Sequence, residues 1–132
     1  MRLLGIDYGT KRVGIALSDE SEHFAFPHEQ TTNDLKLITK IIQTCRDKEV
    51  EVIVIGESKN YKGENNPVME KINKFKIELE AELKAAELEV KIMLEPELLT
   101  SAEAERIQGK TEMHDASAAA LILKSYIDRT NG

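Results

Sequence analysis

Three acidic residues stand where chemistry would need them. Asp7 closes the short apolar run Arg2–Asp7 (RLLGID), Glu97 lies just beyond the strand-like stretch Leu88–Leu94 (LEVKIML), and Asp115 opens an alanine-rich segment of helical pattern. In an open α/β sheet, ligand sites collect near the carboxyl ends of strands. Three carboxylates gathered at one place repel one another and need cations at neutral pH. Hard divalent ions such as Mg²⁺ or Mn²⁺ take carboxylate oxygens and water. Two such ions, about 3.5–4 Å apart, activate water and stabilise the leaving oxygen in phosphodiester cleavage. The pattern leaves alternatives open. Asp7 also suits a turn before Gly9, although a carboxylate directly after LLGI is costly unless exposed or partnered. Glu95, Glu103 and Glu105 compete with Glu97, and Asp115 also suits a helix cap.

The turn that follows Asp7 adds donors. Tyr8-Gly9-Thr10-Lys11-Arg12 combines a glycine that lets the backbone approach a ligand, a hydroxyl and two cations suited to phosphate. An ordinary charged hairpin turn has the same composition. His114 reads first as a helix-start residue and only second as a base. Cys45 reads as a core residue.

These residues need elements to position them. Arg2–Asp7 and Val13–Ser18 read as an antiparallel hairpin across the Gly9 turn. A third strand is expected near Glu22–Gln30, with Phe24 and Phe26 at period two and Pro27 limiting it to an edge. Asn33 or Asp34 can cap a helix whose buried face carries Leu35, Ile38, Ile41, Ile42 and Cys45. Val50–Gly56 is dense in β-branched residues and reads as a parallel strand buried on both sides. The polar segment Glu57–Pro67 is a loop at its carboxyl end. A second helix spans about Pro67–Glu87, with a core stripe of Val68, Ile72, Phe75, Leu79, Leu83 and Ala86. A strand over Leu88–Leu94 follows, then a short helix from Thr100 or Ser101 to Gly109. A last helix runs from near His114 to about Arg129, burying Ala119, Ile122, Leu123, Tyr126 and Ile127. Meandering strands followed by strand–helix crossovers predict an α/β fold of ribonuclease H-like type. Its mixed central sheet carries helices on both faces, and strands one and four bring the Asp7 and Glu97 ends together.

Composition bounds the function. The chain has 132 residues, enough for one domain over 1–132. Eighteen basic against twenty-four acidic residues give a net charge of −6, so a polyanion-coating protein is excluded. One cysteine excludes an internal disulfide and a cysteine-based zinc site. No apolar run reaches the roughly 18 residues of a membrane helix, and no signal-peptide layout opens the chain, so a cytoplasmic, non-membrane protein is expected.

Several motifs together carry a family resemblance. Gly5–Asp19 (GIDYGTKRVGIALSD) resembles the opening motif of the YqgF family, also called RuvX or pre-16S rRNA nuclease. Val52–Gly56 followed by Asn60 and Gly63 is similar to that family's strand and loop. Leu98–Arg106 (LLTSAEAER) resembles its next helix entry, and Asp115–Asp128 (DASAAALILKSYID) its C-terminal helix. The resemblance implies relatives among Holliday-junction resolvases and a role in maturing the 5′ end of 16S ribosomal RNA. It implies that Asp7, Glu97 and Asp115 are catalytic acids that bind Mg²⁺ or Mn²⁺. Tyr8, Gly9, Thr10, Lys11, Arg12 and Asn60 would then contact the substrate. The implied partner is structured RNA, with branched DNA as the alternative, bound by a monomer or homodimer. The sequence departs from the family at Pro96-Glu97-Leu98, where an acid–Glu–Arg triplet is usual, and at Glu57–Lys59 and Lys62. Ala118 and Ala119 stand where resolvases carry a fourth acid. Those departures motivate a second class, a non-catalytic RNA- or protein-binding module on the same fold. Asp7-x-Gly9-Thr10 also resembles the phosphate loop of actin-like ATPases, which need two such lobes where this chain supplies one.

Overall fold

The computed structural model describes residues 1–57, 67–96 and 114–131. The expected short helix between Thr100 and Gly109, together with Asn60, Gly63 and Glu97, lies outside the described residues. Five strands form one sheet: β1 (Arg2–Tyr8), β2 (Arg12–Ser18), β3 (Ala25–Thr32), β4 (Val50–Glu57) and β5 (Lys91–Pro96). Among the described residues three helices accompany them: α1 (Leu37–Asp47), α2 (Pro67–Ala85) and α3 (His114–Asn131). The strand order is β3-β2-β1-β4-β5. The first three strands meander antiparallel, whereas β4 runs parallel to both β1 and β5.

Alternation along each strand divides the core between two faces. Leu4, Ile6, Val13, Ile15, Ile53 and Ile55 pack against α1 and α2, where Ile41, Ile72 and Leu79 meet them. Leu3, Ala16 and Val54 pack against α3 through Ala119, Ile122, Leu123 and Ile127. Helix layers on both sides are the reason that β4 reads as an unbroken apolar run: Ile53, Val54 and Ile55 are all fully buried. Each such side chain contributes about 1.5–3 kcal/mol relative to exposure.

Where α1, β3 and β5 begin differs from the sequence expectation, each for a local hydrogen-bonding reason. Helix α1 begins at Leu37, behind Lys36 as its cap residue, and no side chain caps it. Asp34 instead closes a turn, its carboxylate accepting the Lys36 N–H at 2.9 Å and its carbonyl the Leu37 N–H at 3.1 Å. Leu35 sits on that turn, fully exposed, and does not join the core face of α1. Strand β3 starts at Ala25 because Asp19 holds the preceding loop. Its carboxylate accepts the His23 and Phe24 N–H groups, each at 2.9 Å, and the Ser21 hydroxyl. The Ser21 hydroxyl first, with those amides, lowers the Asp19 pKa to about 2. Phe24 therefore precedes the strand, and Phe24 and Phe26 are both exposed on its edge. Strand β5 starts at Lys91 because α2 closes with a Schellman pattern: Leu88 N–H bonds to the Leu83 carbonyl and Glu87 N–H to the Lys84 carbonyl, both at 3.0 Å. Glu87 takes the left-handed position of that motif, at φ 60°.

Candidate active site

Asp7 is the half-buried acid at the carboxyl end of β1. It shares the face of Leu3 and Gly5, the side on which α3 packs. Its partner across β2 is Gly14, and the β4 position next to it, one beyond the Ile6–Ile55 pair, is Gly56. Gly56 in turn pairs with Glu95 of β5. A row Gly14–Asp7–Gly56–Glu95 thus crosses the sheet, with the carboxylate of Asp7 flanked on both sides by positions that carry no side chain. This row was not evident in the sequence, because nothing local says that Gly14 and Gly56 are neighbours of Asp7.

Helix α3 is seated on β1 through one close contact. A Cβ added to Gly5 would lie 2.8 Å from the Ala119 carbonyl oxygen and 3.0 Å from the Leu123 Cβ. Only glycine allows that approach. Asp115 is the second residue of α3 and one turn before Ala119, about 6 Å of helix rise. Asp7 is two residues beyond Gly5, about 6.6 Å of strand. Both acids therefore lie one short step along the backbone from the same contact. The side chains of Asp115 and His114 lie outside the described residues.

Glu97 also lies outside them, but the strand that leads to it is described. It follows Pro96, the last residue of β5. The sequence reading brought strands one and four together as carriers of Asp7 and Glu97. In the sheet β4 stands between β1 and β5, so two strand spacings, about 10 Å, separate the two carrier strands.

Glu95, a rival to Glu97 on sequence grounds, is committed elsewhere. It is buried, at 3% exposure. One carboxylate oxygen accepts Nε (3.0 Å) and Nη2 (2.6 Å) of Arg129, and the other accepts the Ser125 hydroxyl at 3.0 Å. This link ties the end of the edge strand to the last turns of α3. A pair 34 residues apart leaves no local signal in the sequence.

The Tyr8–Arg12 turn is built tightly. A Cβ on Gly9 would run into the Arg12 carbonyl oxygen. Asn33 braces the turn from outside: its Nδ2 donates to the Gly9 carbonyl at 2.8 Å and its N–H to the Lys11 carbonyl at 2.9 Å. Sequence reasoning gave Asn33 a capping role and missed this one. Thr10, Lys11 and Arg12 are exposed. Tyr8 points to the other face of the sheet, where its ring lies 4.9 Å from that of Phe75. Among the described residues no group of three metal-ligating side chains occurs. Cys45, buried as expected, has its thiol pushed up to about 12 by burial. A groove of about 1430 Å³ lies at the amino ends of β4 and β5, away from Asp7.

Comparisons with known proteins agree with this fold. A family model described as RuvX, Holliday junction resolvase, matches residues 1–129. A protein of Chlorobaculum tepidum named "Putative pre-16S rRNA nuclease" is 32% identical over 96% of this chain and 93% of its own length. One of the same name from Syntrophus aciditrophicus is 35% identical over 97% of this chain and 89% of its own. Among solved structures, Thermus thermophilus RuvC superposes with a TM-score of 0.65 at 14% identity, covering 99% of this chain and 97% of that one. The fowlpox virus Holliday junction resolvase gives 0.59 at 15% identity, with 98% and 99% covered. The fold is the ribonuclease H-like fold of these resolvases, as expected from the sequence. Among the described residues no helix is long and apolar enough to cross a membrane.

Proposed function

The chain belongs to the RuvX family, and from that premise we propose that it is a divalent-metal-dependent nuclease that trims the 5′ end of the 16S rRNA precursor. The observation that supports this best is the seating of α3 on Gly5. Asp115 precedes that contact by one helical turn, and Asp7 follows it by two strand residues. Asp7, Glu97 and Asp115 would hold Mg²⁺ or Mn²⁺. Their all-oxygen donor set suits such hard ions, and the positions beside Asp7 on β2 and β4 are glycines. When bound, the metal supplies charge neutralisation at the phosphate and an activated water.

The chain's own residues do the rest. Lys11 and Arg12 bind non-bridging phosphate oxygens, Arg12 with a planar fork and Lys11 as a point charge. Gly9 lets the substrate backbone close on the turn, and Thr10 offers a hydroxyl to the same phosphate. Asn33 holds that turn in place, so the cations meet the phosphate without reorganising. Glu97 orients the attacking water, and Asn60 and Tyr8 contact the flanking strand. Because the net charge is −6, RNA is held by these local cations together with the metal, and affinity falls with salt. The whole chain acts as one domain, working in the cytoplasm as a monomer or homodimer.

The family model's description favours a second reading, a resolvase of branched DNA. The non-catalytic module is a third, motivated by Pro96 and Leu98 around Glu97. One experiment separates them: incubation with Mn²⁺ and either a 16S precursor fragment or a four-way DNA junction. Cleavage of the precursor and not of the junction is expected. The reverse pattern supports the resolvase, and tight RNA binding without any cleavage supports the module.

A further inference from the structure

A second groove, of about 580 Å³, opens beside Tyr8 on the face of the sheet opposite Asp7. Its volume lies in the range taken by small ligands, about 300–1000 Å³. Tyr8, Leu37, Ile38 and Phe75 supply its aromatic and aliphatic surface, while Leu35, Lys71 and Lys74 border it. Leu37 and Phe75 are buried, whereas both lysines and Leu35 are exposed. Leu35 reaches 103% exposure, a large aliphatic side chain held clear of the core by the Asp34 turn. Phe75 braces Tyr8 at a 37° tilt, fixing its ring as a wall.

The groove borders the Tyr8–Arg12 turn of the candidate active site through two of its lining residues. Asn33 lines it and at the same time bonds to the Gly9 and Lys11 carbonyls of the turn. Tyr8 lines it and directly follows Asp7 in β1, with its side chain on the other face. A strand held at Asp7 enters the groove only by turning around the end of β1. A base pair within a duplex cannot make that turn, and an unpaired nucleotide can. The charges suit such an occupant. Lys71 and Lys74, three residues apart on α2, present cations to a phosphate. Asp34 and Glu78 offer acceptors to the N–H groups of a base edge. Two cations balanced by two carboxylates fit a nucleotide better than an occupant of uniform negative charge.

We infer that this groove is a subsite for one unpaired nucleotide of the substrate, its base against Tyr8 and Leu35 and its phosphate at Lys71 and Lys74. It rests on the nuclease reading for the placing of a strand at Asp7, and gives that reading a substrate class: RNA with a single-stranded stretch next to the cleaved bond.

Binding tests it independently of cleavage. In an Asp7→Asn background, affinity is measured for a labelled RNA hairpin with a single-stranded 5′ extension and for the same hairpin made blunt. Lys71→Glu with Lys74→Glu is expected to weaken the extended RNA about tenfold or more. Leu35→Ala is expected to weaken it severalfold, since it removes an apolar contact to the base. The blunt hairpin should change less than about twofold. The replaced residues are exposed, so the variants should fold, which circular dichroism checks. Equal affinities for the extended RNA, or an equal loss with the blunt hairpin, overturn the subsite. If the pattern appears but the parent protein cleaves no RNA, the nuclease reading falls and the subsite stands. If cleavage requires Asp7 but the affinities do not move, the reverse holds.

Discussion

Glu22, in the loop between β2 and β3, shares a hydrogen bond with Glu51 of β4, and the pair retains a proton that an isolated glutamate would release. The Glu51 hydrogen bond, then burial, then the neighbouring charge raise Glu22 to about 7 from an ordinary 4.5. Between those values the folded chain binds more protons than the unfolded one. This pair's contribution is therefore complete below pH 4.5 and is lost as pH rises through 7. Thermal unfolding should show the melting temperature falling between pH 5 and 8, and Glu22→Gln should flatten that fall. Equal slopes in the two proteins would contradict the pairing. Asp7 was legible in the sequence because an acid directly after an apolar run at a strand end needs a reason. Leu35 was misplaced because helical spacing relates it to Ile38 and Ile42, while the Asp34 turn delays the helix by two residues. Glu22 carried no signal at all, since its partner belongs to a strand more than twenty residues away.

At the scale of elements, two contacts fix α3 against the sheet. Gly5→Ala would drive a methyl group into the Ala119 carbonyl and the Leu123 side chain. Such overpacking costs about 1–3 kcal/mol. Urea denaturation should show that loss, and cleavage should fall well below that of the parent at temperatures where the variant stays folded, because the Asp115 turn moves with the helix. Unchanged cleavage in a destabilised variant would show that α3 placement does not matter to the site. The second contact is the Glu95–Arg129 link, whose partners differ in exposure: 4% for the glutamate side chain and 55% for the arginine. Removing Arg129 strands a buried carboxylate, whereas removing the charge of Glu95 leaves an arginine that reaches water. Arg129→Ala should therefore cost about 1–3 kcal/mol, and Glu95→Gln, which can still accept from Ser125, distinctly less. The opposite ranking in urea denaturation would contradict the burial argument. Helical and strand periodicity made nearly every described element legible, since one-sided burial leaves its period in the residues. The boundaries were less so, because Asp34, Asp19 and Glu87 set them through backbone hydrogen bonds that periodicity does not register.

Over the whole molecule, the order of elements was enough to anticipate a mixed sheet with helices on both faces. Short connections force the meander, and the doubly buried β4 forces a helical layer on each side. The sheet order was not legible in full. That β4 separates the strand of Asp7 from the strand preceding Glu97 depends on which parallel neighbour each strand chooses, and periodicity within a strand does not register that choice. The candidate site shares this division: the contact of Gly5 with Ala119, between the elements that carry Asp7 and Asp115, exists only in the folded chain.

The central claim is that Asp7 joins acids from two other elements to hold divalent metal at an RNA phosphate. The most direct measurement is the cleavage rate of a 16S precursor fragment against Mn²⁺ concentration, for the parent and for Asp7→Asn. The parent should cleave only with the metal. Asp7→Asn should be slower by about two to three orders of magnitude, with its melting temperature nearly unchanged. Equal rates for the two proteins, or cleavage that persists when the metal is chelated, would contradict it.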